Sequence, residues 1–402
     1  MKAVFMGLGY IGLPTAAVAA SKGIKVVGVD VNPVVVETIN HGKIHIIEPD
    51  LDKVVKSVVD KGYLKASLNP EEADAFFIVV PTPFKQNHRA DISYVESATR
   101  AVIPYLREGN LFVIESTSPV LTTEKMADII FKERPELKDK IYIAYCPERV
   151  LPGNVLYELE NNDRVIGGIN PESSDKAIEF YSIFVKGNLH KTNARTAEMC
   201  KLTENSSRDA QIAFANELSM ICDKAAIDVW ELIELANKHP RVKILQPGCG
   251  VGGHCIAVDP WFIVSEYPEQ AQIIKRARET NDYKADWCAN RVVETCLEYA
   301  NKTGKEPVVA CMGLAFKPDI DDLRESPAKY ITSRVISEAR AEIMVVEPNI
   351  STHKSFNLTT YKEACEKADI IVWLVKHKEF LTIPKLAGKI ELDFCGVRKY
   401  CI

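Results

Sequence analysis

Short apolar runs recur along the chain, each closing on polar, glycine or proline residues. AVFM (3–6) is followed by glycines at 7, 9 and 12, by the small-residue segment PTAAVAASKG, and by a second run, KVVGVD. That order predicts strand, turn, helix, strand. AFFIVVPTP (75–83), LFVIEST (111–117) and IYIAYCPE (141–148) continue the series. Runs that are apolar at every position, alternating with helical segments, predict a parallel sheet covered on both faces.

From about Thr192 the texture changes. TNARTAEMCKLTENSSRDAQIAFANELSMICDKAAIDVWELIELANK contains neither Gly nor Pro and places Met199, Leu202, Ile212, Ala215, Leu218 and Ile221 at helical spacing. This predicts a long helix, or two. PVVACMGLAF (307–316), EIMVVEP (342–348), DIIVWLV (369–375) and KIELDF (389–394) then restore the strand pattern. The expected fold is α/β, with an N-terminal Rossmann domain over 1–190, a central helical region over 191–300 and a second, smaller Rossmann-like α/β domain over 301–402.

Composition narrows the partners. With 50 Lys and Arg against 55 Asp and Glu, the net charge of −5 removes the usual electrostatic case for nucleic acid or an anionic membrane as the main partner. Met1 runs straight into an apolar stretch without a charged leader, and no later run is long enough to span a bilayer, so a cytoplasmic protein is expected. The eleven cysteines are odd in number and form no CxxC pair, which argues against a disulfide framework and a zinc site. No metal is expected.

GLGYIG spans Gly7, Gly9 and Gly12 and sits between a strand and a helix, where free backbone N–H groups and the helix dipole hold a pyrophosphate. Asp30 ends the second strand, at the position whose carboxylate accepts hydrogen bonds from a ribose 2′-hydroxyl. The residues after it bring no arginine, so NAD is expected rather than NADP. The second motif is PGCGVGGHCIAVDP (247–260), which surrounds Cys255 with glycines and places Asp259 four residues on. Such a cysteine suits nucleophilic catalysis. Beside NAD, a thiol extends alcohol oxidation: it adds to the aldehyde, the thiohemiacetal loses a second hydride, and water releases an acid from the thioester. For Cys146, Cys200, Cys222, Cys288, Cys296, Cys311 and Cys365 the expectation is a packed, inert thiol, as it is for Cys249 within the glycine segment.

GVGGHCIAVDP together with GLGYIGLP, EST, PER, KLTEN and GLAFKPDIDDLRESP resembles the nucleotide-sugar 6-dehydrogenases, in the family's order and over nearly the whole chain. The resemblance implies a four-electron, NAD-dependent oxidation at C6 of a UDP-sugar, with Cys255 as nucleophile and Asp259 assisting acid and base steps. It implies that Lys201 and Asn205, four apart on the central helix, stabilise an oxyanion at C6, that Thr117 positions a water, and that Glu148 serves as general base. It adds Tyr10, Ile11, Thr82 and Thr117 to the cofactor contacts. For substrate it implies Glu148, Arg149, Lys201, Asn205, Gly252, Gly253, Phe316, Lys317 and Arg398, with Arg241 reaching the diphosphate across a subunit interface, and hence a homodimer or larger assembly. Arg149 and the pair Arg324 and Asp322 are also read as structural ion-pair residues. The cysteine segment is most similar to the branch acting on UDP-N-acetylmannosamine; UDP-N-acetylglucosamine or UDP-glucose is the alternative. A non-catalytic NAD-binding protein leaves the nucleophile unexplained, and a two-electron hydroxyacid dehydrogenase leaves the glycine segment and the second α/β domain unexplained.

Overall fold

A computed structural model describes residues 1–85, 88–150, 153–253 and 255–398, which excludes His254 of the glycine segment and Cys401. Two units are compact in their own right, Met1–Glu204 and Asn205–Ile402, and the boundary falls inside one continuous helix, Ala194–Ala225.

The first unit holds strands β1 (Lys2–Met6), β2 (Lys25–Val29), β3 (Leu64–Ser67), β4 (Ala75–Ile78), β5 (Leu111–Ile114), β6 (Tyr142–Tyr145), β7 (Arg164–Gly168) and β8 (Leu189–Asn193), in the spatial order β3-β2-β1-β4-β5-β6-β7-β8. Both faces are covered, as the unbroken apolar runs require: Ala3 and Phe5 of β1 enter one core, Val4 and Met6 the other. Phe5 stacks on Phe77 across β1 and β4, with ring centroids 4.5 Å apart.

The sheet departs from the expectation of parallel strands at β7, which pairs antiparallel with β6 and parallel with β8. Antiparallel pairing needs no return crossover. Its consequence is that the first residue of β7 reaches the edge where β6 ends.

The second unit carries β9 (Val308–Met312), β10 (Glu342–Val346), β11 (Ile370–Trp373) and β12 (Ile390–Asp393), all parallel, in the order β10-β9-β11-β12. It also carries a 32-residue helix, Gln272–Thr303, and the shorter helices Val229–Ala236 and Asp259–Glu266. Several helix starts are written locally. Asn32, Asn170 and Ser326 cap helices whose next residue is proline, whose missing N–H is no loss there. Among the described residues, no helix is long and apolar enough to cross a membrane.

The turn after β1 is close-packed. Gly7 adopts φ +101°, and a Cβ placed on Gly12 would lie 2.0 Å from the Gly7 carbonyl oxygen. Gly12→Ala is therefore expected to destabilise the chain by about 1–3 kcal/mol, through overpacking that backbone alone can relieve. Urea unfolding checks this; an unchanged midpoint would contradict the packing.

Candidate functional site

In the first unit, the candidate residues gather along the ends of the strands. Gly7, Gly9, Tyr10 and Ile11 form the turn after β1, and Gly12 opens the helix Gly12–Ser21. A Cβ on Gly9 would meet nothing within 4 Å, so this stretch of backbone faces open space that a phosphate can approach. Asp30 follows β2. Its carboxylate accepts the Leu8 N–H at 3.1 Å and the Asn32 N–H at 2.9 Å, which ties the end of β2 to the glycine turn. The tight turn, the open position at Gly9 and the carboxylate together fit a dinucleotide.

Thr82 and Thr117 follow β4 and β5. The Thr82 hydroxyl donates to the Thr117 carbonyl at 2.6 Å, joining two adjacent strand ends. Glu148, beyond β6, is buried and accepts from Arg164 Nη2 at 3.1 Å and from the Arg149 N–H at 2.6 Å. Arg149 itself grips Glu204, with Nε and Nη2 donating to its two oxygens at 3.1 and 2.7 Å, so its guanidinium anchors the loop to the Ala194–Ala225 helix. Lys201 is half-buried on that helix, and no hydrogen bond or ion pair holds its ammonium among the described residues. Asn205 lies four residues further along the same helix.

In the second unit, Cys255 is exposed just ahead of the helix Asp259–Glu266, and its carbonyl accepts the N–H groups of Val258 and Asp259 at 3.0 and 2.8 Å. A helix N-terminus favours negative charge nearby. Asp259 is buried and accepts from Asn205 Nδ2 at 2.5 Å.

The glycine segment owes its composition to close backbone packing. A Cβ on Gly252 would lie 2.4 Å from the Glu325 carbonyl oxygen and 2.9 Å from Phe316 Cβ, and one on Gly253 would meet the Phe316 ring at 3.0 Å. From the resemblance, Gly252 and Gly253 are expected to meet substrate. Their immediate cause is the 316–327 segment lying against them. Phe316 is thereby fixed beside the loop, while Lys317 next to it is exposed. Cys249 is buried, with its thiol 3.3 Å from the Leu374 carbonyl.

A buried polar chain anchors the same loop. The Gly248 N–H donates to Asn216 Oδ1 at 2.8 Å, Asn216 Nδ2 to Asn281 Oδ1 at 2.8 Å, Asn281 Nδ2 to Asp209 Oδ1 at 2.8 Å, and Arg278 Nη1 to the same oxygen at 2.6 Å. Burial pushes the Asp209 carboxyl up, with Arg278 and Asn281 opposing. In the sequence these residues carry no motif beyond Arg278 and Asn281, three apart in RETND.

Arg241 is exposed in the loop after Val229–Ala236, its N–H donating to the His239 ring at 3.3 Å. Arg398 is half-buried and engaged: Nε pairs with Glu391, Nη1 donates to the Ile383 carbonyl at 2.6 Å, and the guanidinium lies 4.5 Å from the Trp373 ring centroid. Asp322 and Arg324 form a side-by-side ion pair at 2.7 Å. Asp319, His377 and Glu379 bring ligand atoms within 4.8 Å of one another. Both His377 nitrogens are already in use, Nδ1 accepting the Asp319 N–H at 3.0 Å and Nε2 bonded to Glu347 at 3.1 Å. Glu347 also accepts the N–H groups of Leu314 and Ala315, as Asp30 does for Leu8 in the first sheet. Burial opposes its charge, but His377 and the N–H groups of Leu314 and Asn349 hold its carboxyl down to about 2.

Of the seven cysteines expected to be inert apart from Cys249, six are buried and Cys200 is half-exposed.

Three successive family models match the chain: UDP-glucose/GDP-mannose dehydrogenase family, NAD binding domain, over 1–185; the central domain over 195–283; and the UDP binding domain over 310–397. The chain is 54% identical over 398 residues to UDP-N-acetyl-D-mannosamine dehydrogenase of Campylobacter jejuni, covering 95% of this chain and 97% of the relative. It is 52% identical over 406 residues to NDP-N-acetyl-D-galactosaminuronic acid dehydrogenase of Ralstonia nicotianae, covering 98% and 95%. Among solved structures, UDP-D-ManNAc dehydrogenase from Pyrococcus horikoshii superposes with a TM-score of 0.88 at 39% identity, covering 99% of this chain and 96% of that one.

Proposed function

The chain belongs to the UDP-glucose/GDP-mannose dehydrogenase family, and on that premise we propose that it oxidises the C6 hydroxyl of UDP-N-acetyl-D-mannosamine to the carboxylate, giving UDP-N-acetyl-D-mannosaminuronate. The observation that carries the substrate is the chain-long identity of 54% to the enzyme of that name from Campylobacter jejuni.

The cofactor is NAD, which when bound accepts hydride from C6. The residues that would hold it in this reading are Gly7, Gly9 and Gly12 at the pyrophosphate, Tyr10 and Ile11 beside them, Asp30 at the ribose, and Thr82 and Thr117. The remaining work falls to side chains. Lys201 and Asn205 stabilise the oxygen of C6 as it gains charge. Cys255 adds to the aldehyde carbon, its sulfur forming the bond that makes the second hydride loss possible. Thr117 orients the water that attacks the thioester, Glu148 takes its proton, and Asp259 assists proton transfer near the thiol. Lys317, Phe316, Gly252 and Gly253 meet the UDP part. Arg149, Arg241 and Arg398 are further candidates for its anionic groups; the bonds already held by Arg149 and Arg398 favour a supporting role for both.

Arg241, exposed at a loop, suits contact with the substrate of a second copy. The exposed apolar side chains of Phe214 and Ile221, seven apart on the long helix, support self-association there.

The identity to the Ralstonia relative supports a second reading, in which the substrate is another N-acetylhexosamine nucleotide. Comparing kcat/KM on UDP-N-acetylmannosamine, UDP-N-acetylgalactosamine, UDP-N-acetylglucosamine and UDP-glucose separates the two. We expect the mannosamine substrate to lead by about tenfold or more, the discrimination that one altered centre supplies. Equal or faster turnover of another sugar would overturn the substrate and leave the mechanism standing.

A further inference from the structure

The antiparallel strand β7 delivers an arginine to the proposed base. Ala144 faces Gly168 and Tyr145 faces Gly167, a register whose continuation sets position 148 opposite position 164. Arg164 is 3% exposed. Its Nη2 donates to Glu148 Oε2 at 3.1 Å and to the Leu159 carbonyl at 3.4 Å, and Nη1 lies 3.9 Å from Cys146 Sγ. The guanidinium sits 5.1 Å from the centroid of the Tyr181 ring and 5.9 Å from that of Phe184. Both oxygens of Glu148 are therefore held, one by Arg164 and one by the Arg149 N–H.

A second carboxyl shares this pocket. Glu115, the residue after β5, is 3% exposed; its Oε1 accepts the Tyr181 hydroxyl at 2.5 Å, and its Oε2 has no hydrogen-bond partner among the described residues. The charged and titratable groups around it are Arg164 from β7, Glu148 and Cys146 from the segment after β6, and Tyr181 from the helix Pro171–Tyr181. A buried carboxyl without full pairing holds its proton more firmly than one in water.

We propose that Glu115 is a positioning residue for the reaction, acting through Arg164 to set the charge that Glu148 presents to the thioester water. With a proton on Glu115, the positive charge of Arg164 is balanced by Glu148 alone, and the guanidinium is committed to that one carboxylate. When Glu115 loses that proton, a second negative charge enters the dry surroundings of Arg164 and competes with Glu148 for its field, so the guanidinium opposes proton uptake from the thioester water less. Burial pushes the Glu115 carboxyl up to about 7, with Arg164 opposing and Glu148 adding to the rise, so the change falls near neutrality. The inference rests on the reading that makes Glu148 the base.

The test compares wild type, Glu115→Gln, Tyr181→Phe and Glu148→Gln by the pH dependence of kcat under saturating UDP-sugar and NAD, and by infrared difference spectroscopy of carboxyl protonation without substrate. Wild-type kcat is expected to rise through neutrality. Glu115→Gln should lose that limb and run about threefold to tenfold below wild type on the alkaline side, with the sugar KM unchanged. Tyr181→Phe should move the limb to higher pH, because the lost hydrogen bond favoured the ionised carboxyl, and it carries the test if Glu115→Gln fails to fold. In the infrared, the carboxyl that titrates near neutrality should vanish in Glu115→Gln and remain in Glu148→Gln, shifted to lower pH because the Glu148 charge that adds to its rise is gone. An unchanged limb in Glu115→Gln, or no carboxyl titrating near neutrality in wild type, overturns the proposal. Full turnover by Glu148→Gln would instead overturn the role of Glu148, with the infrared result still reporting on the buried pair.

Discussion

Cys255→Ser is expected to lower formation of the sugar acid by on the order of 10⁴-fold, the scale on which loss of a covalent nucleophile removes turnover. The first hydride leaves an alcohol and needs no thiol, so a burst of up to about one NADH per site should survive in the variant. The second hydride must leave a tetrahedral adduct, and a serine hydroxyl supplies neither the ready anion of a thiol nor a labile thioester. Cys255 is exposed, and the backbone carbonyl that receives the two N–H groups of the following turn is kept by serine, so the helix start after it should survive the substitution. Rapid-quench analysis of sugar products measures both stages; acid formed at close to the wild-type rate would remove Cys255 from the chemistry.

Lys201→Met is expected to lower kcat by about 10²- to 10³-fold, the usual effect of deleting one donor aimed at a developing oxyanion. The methionine keeps the length and helix propensity of the lysine stem on an unbroken helix. Its KM for the UDP-sugar should change far less than kcat, because the interaction strengthens as charge builds on the C6 oxygen. A large rise in KM with kcat retained would make Lys201 a binding residue.

Much of the fold was legible because buried parallel strands must be apolar on both faces. AVFM, LFVIEST and DIIVWLV announce themselves in that way, and all three stand in the sheets. Three strands did not. LKAS in β3 alternates buried with exposed or half-buried positions; RVIGG in β7 ends in two glycines, and LHKTN in β8 is a polar strand at the sheet edge. The last two are held by pairing partners distant in sequence rather than by their own pattern, and the antiparallel turn of β7 depends on that pairing.

The candidate site divides along similar lines. Residues in compact motifs, such as Gly7, Gly9, Gly12, Asp30, Cys255 and Asp259, could be picked out by spacing because one local segment positions each group. Residues whose meaning comes from tertiary packing could not. Arg164 reads as an ordinary charge at a strand start until the fold brings it within hydrogen-bond reach of Glu148, and Glu115 reads as the first letter of EST until Tyr181 closes on it. The glycines of the cysteine segment carried a true signal with an incomplete cause: they mark a close approach, and the nearest approaching group is the chain's own 316–327 segment.

The central claim is that one thiol carries the substrate through two successive oxidations. The most direct measurement is the number of NADH formed per UDP-N-acetylmannosamine consumed by the wild-type protein with excess NAD, with the product identified by mass. A ratio of about two with the carboxylate as product is the expected result, since passage through a thioester requires two hydride losses. A ratio near one, with an aldehyde or ketone as the product, would contradict it.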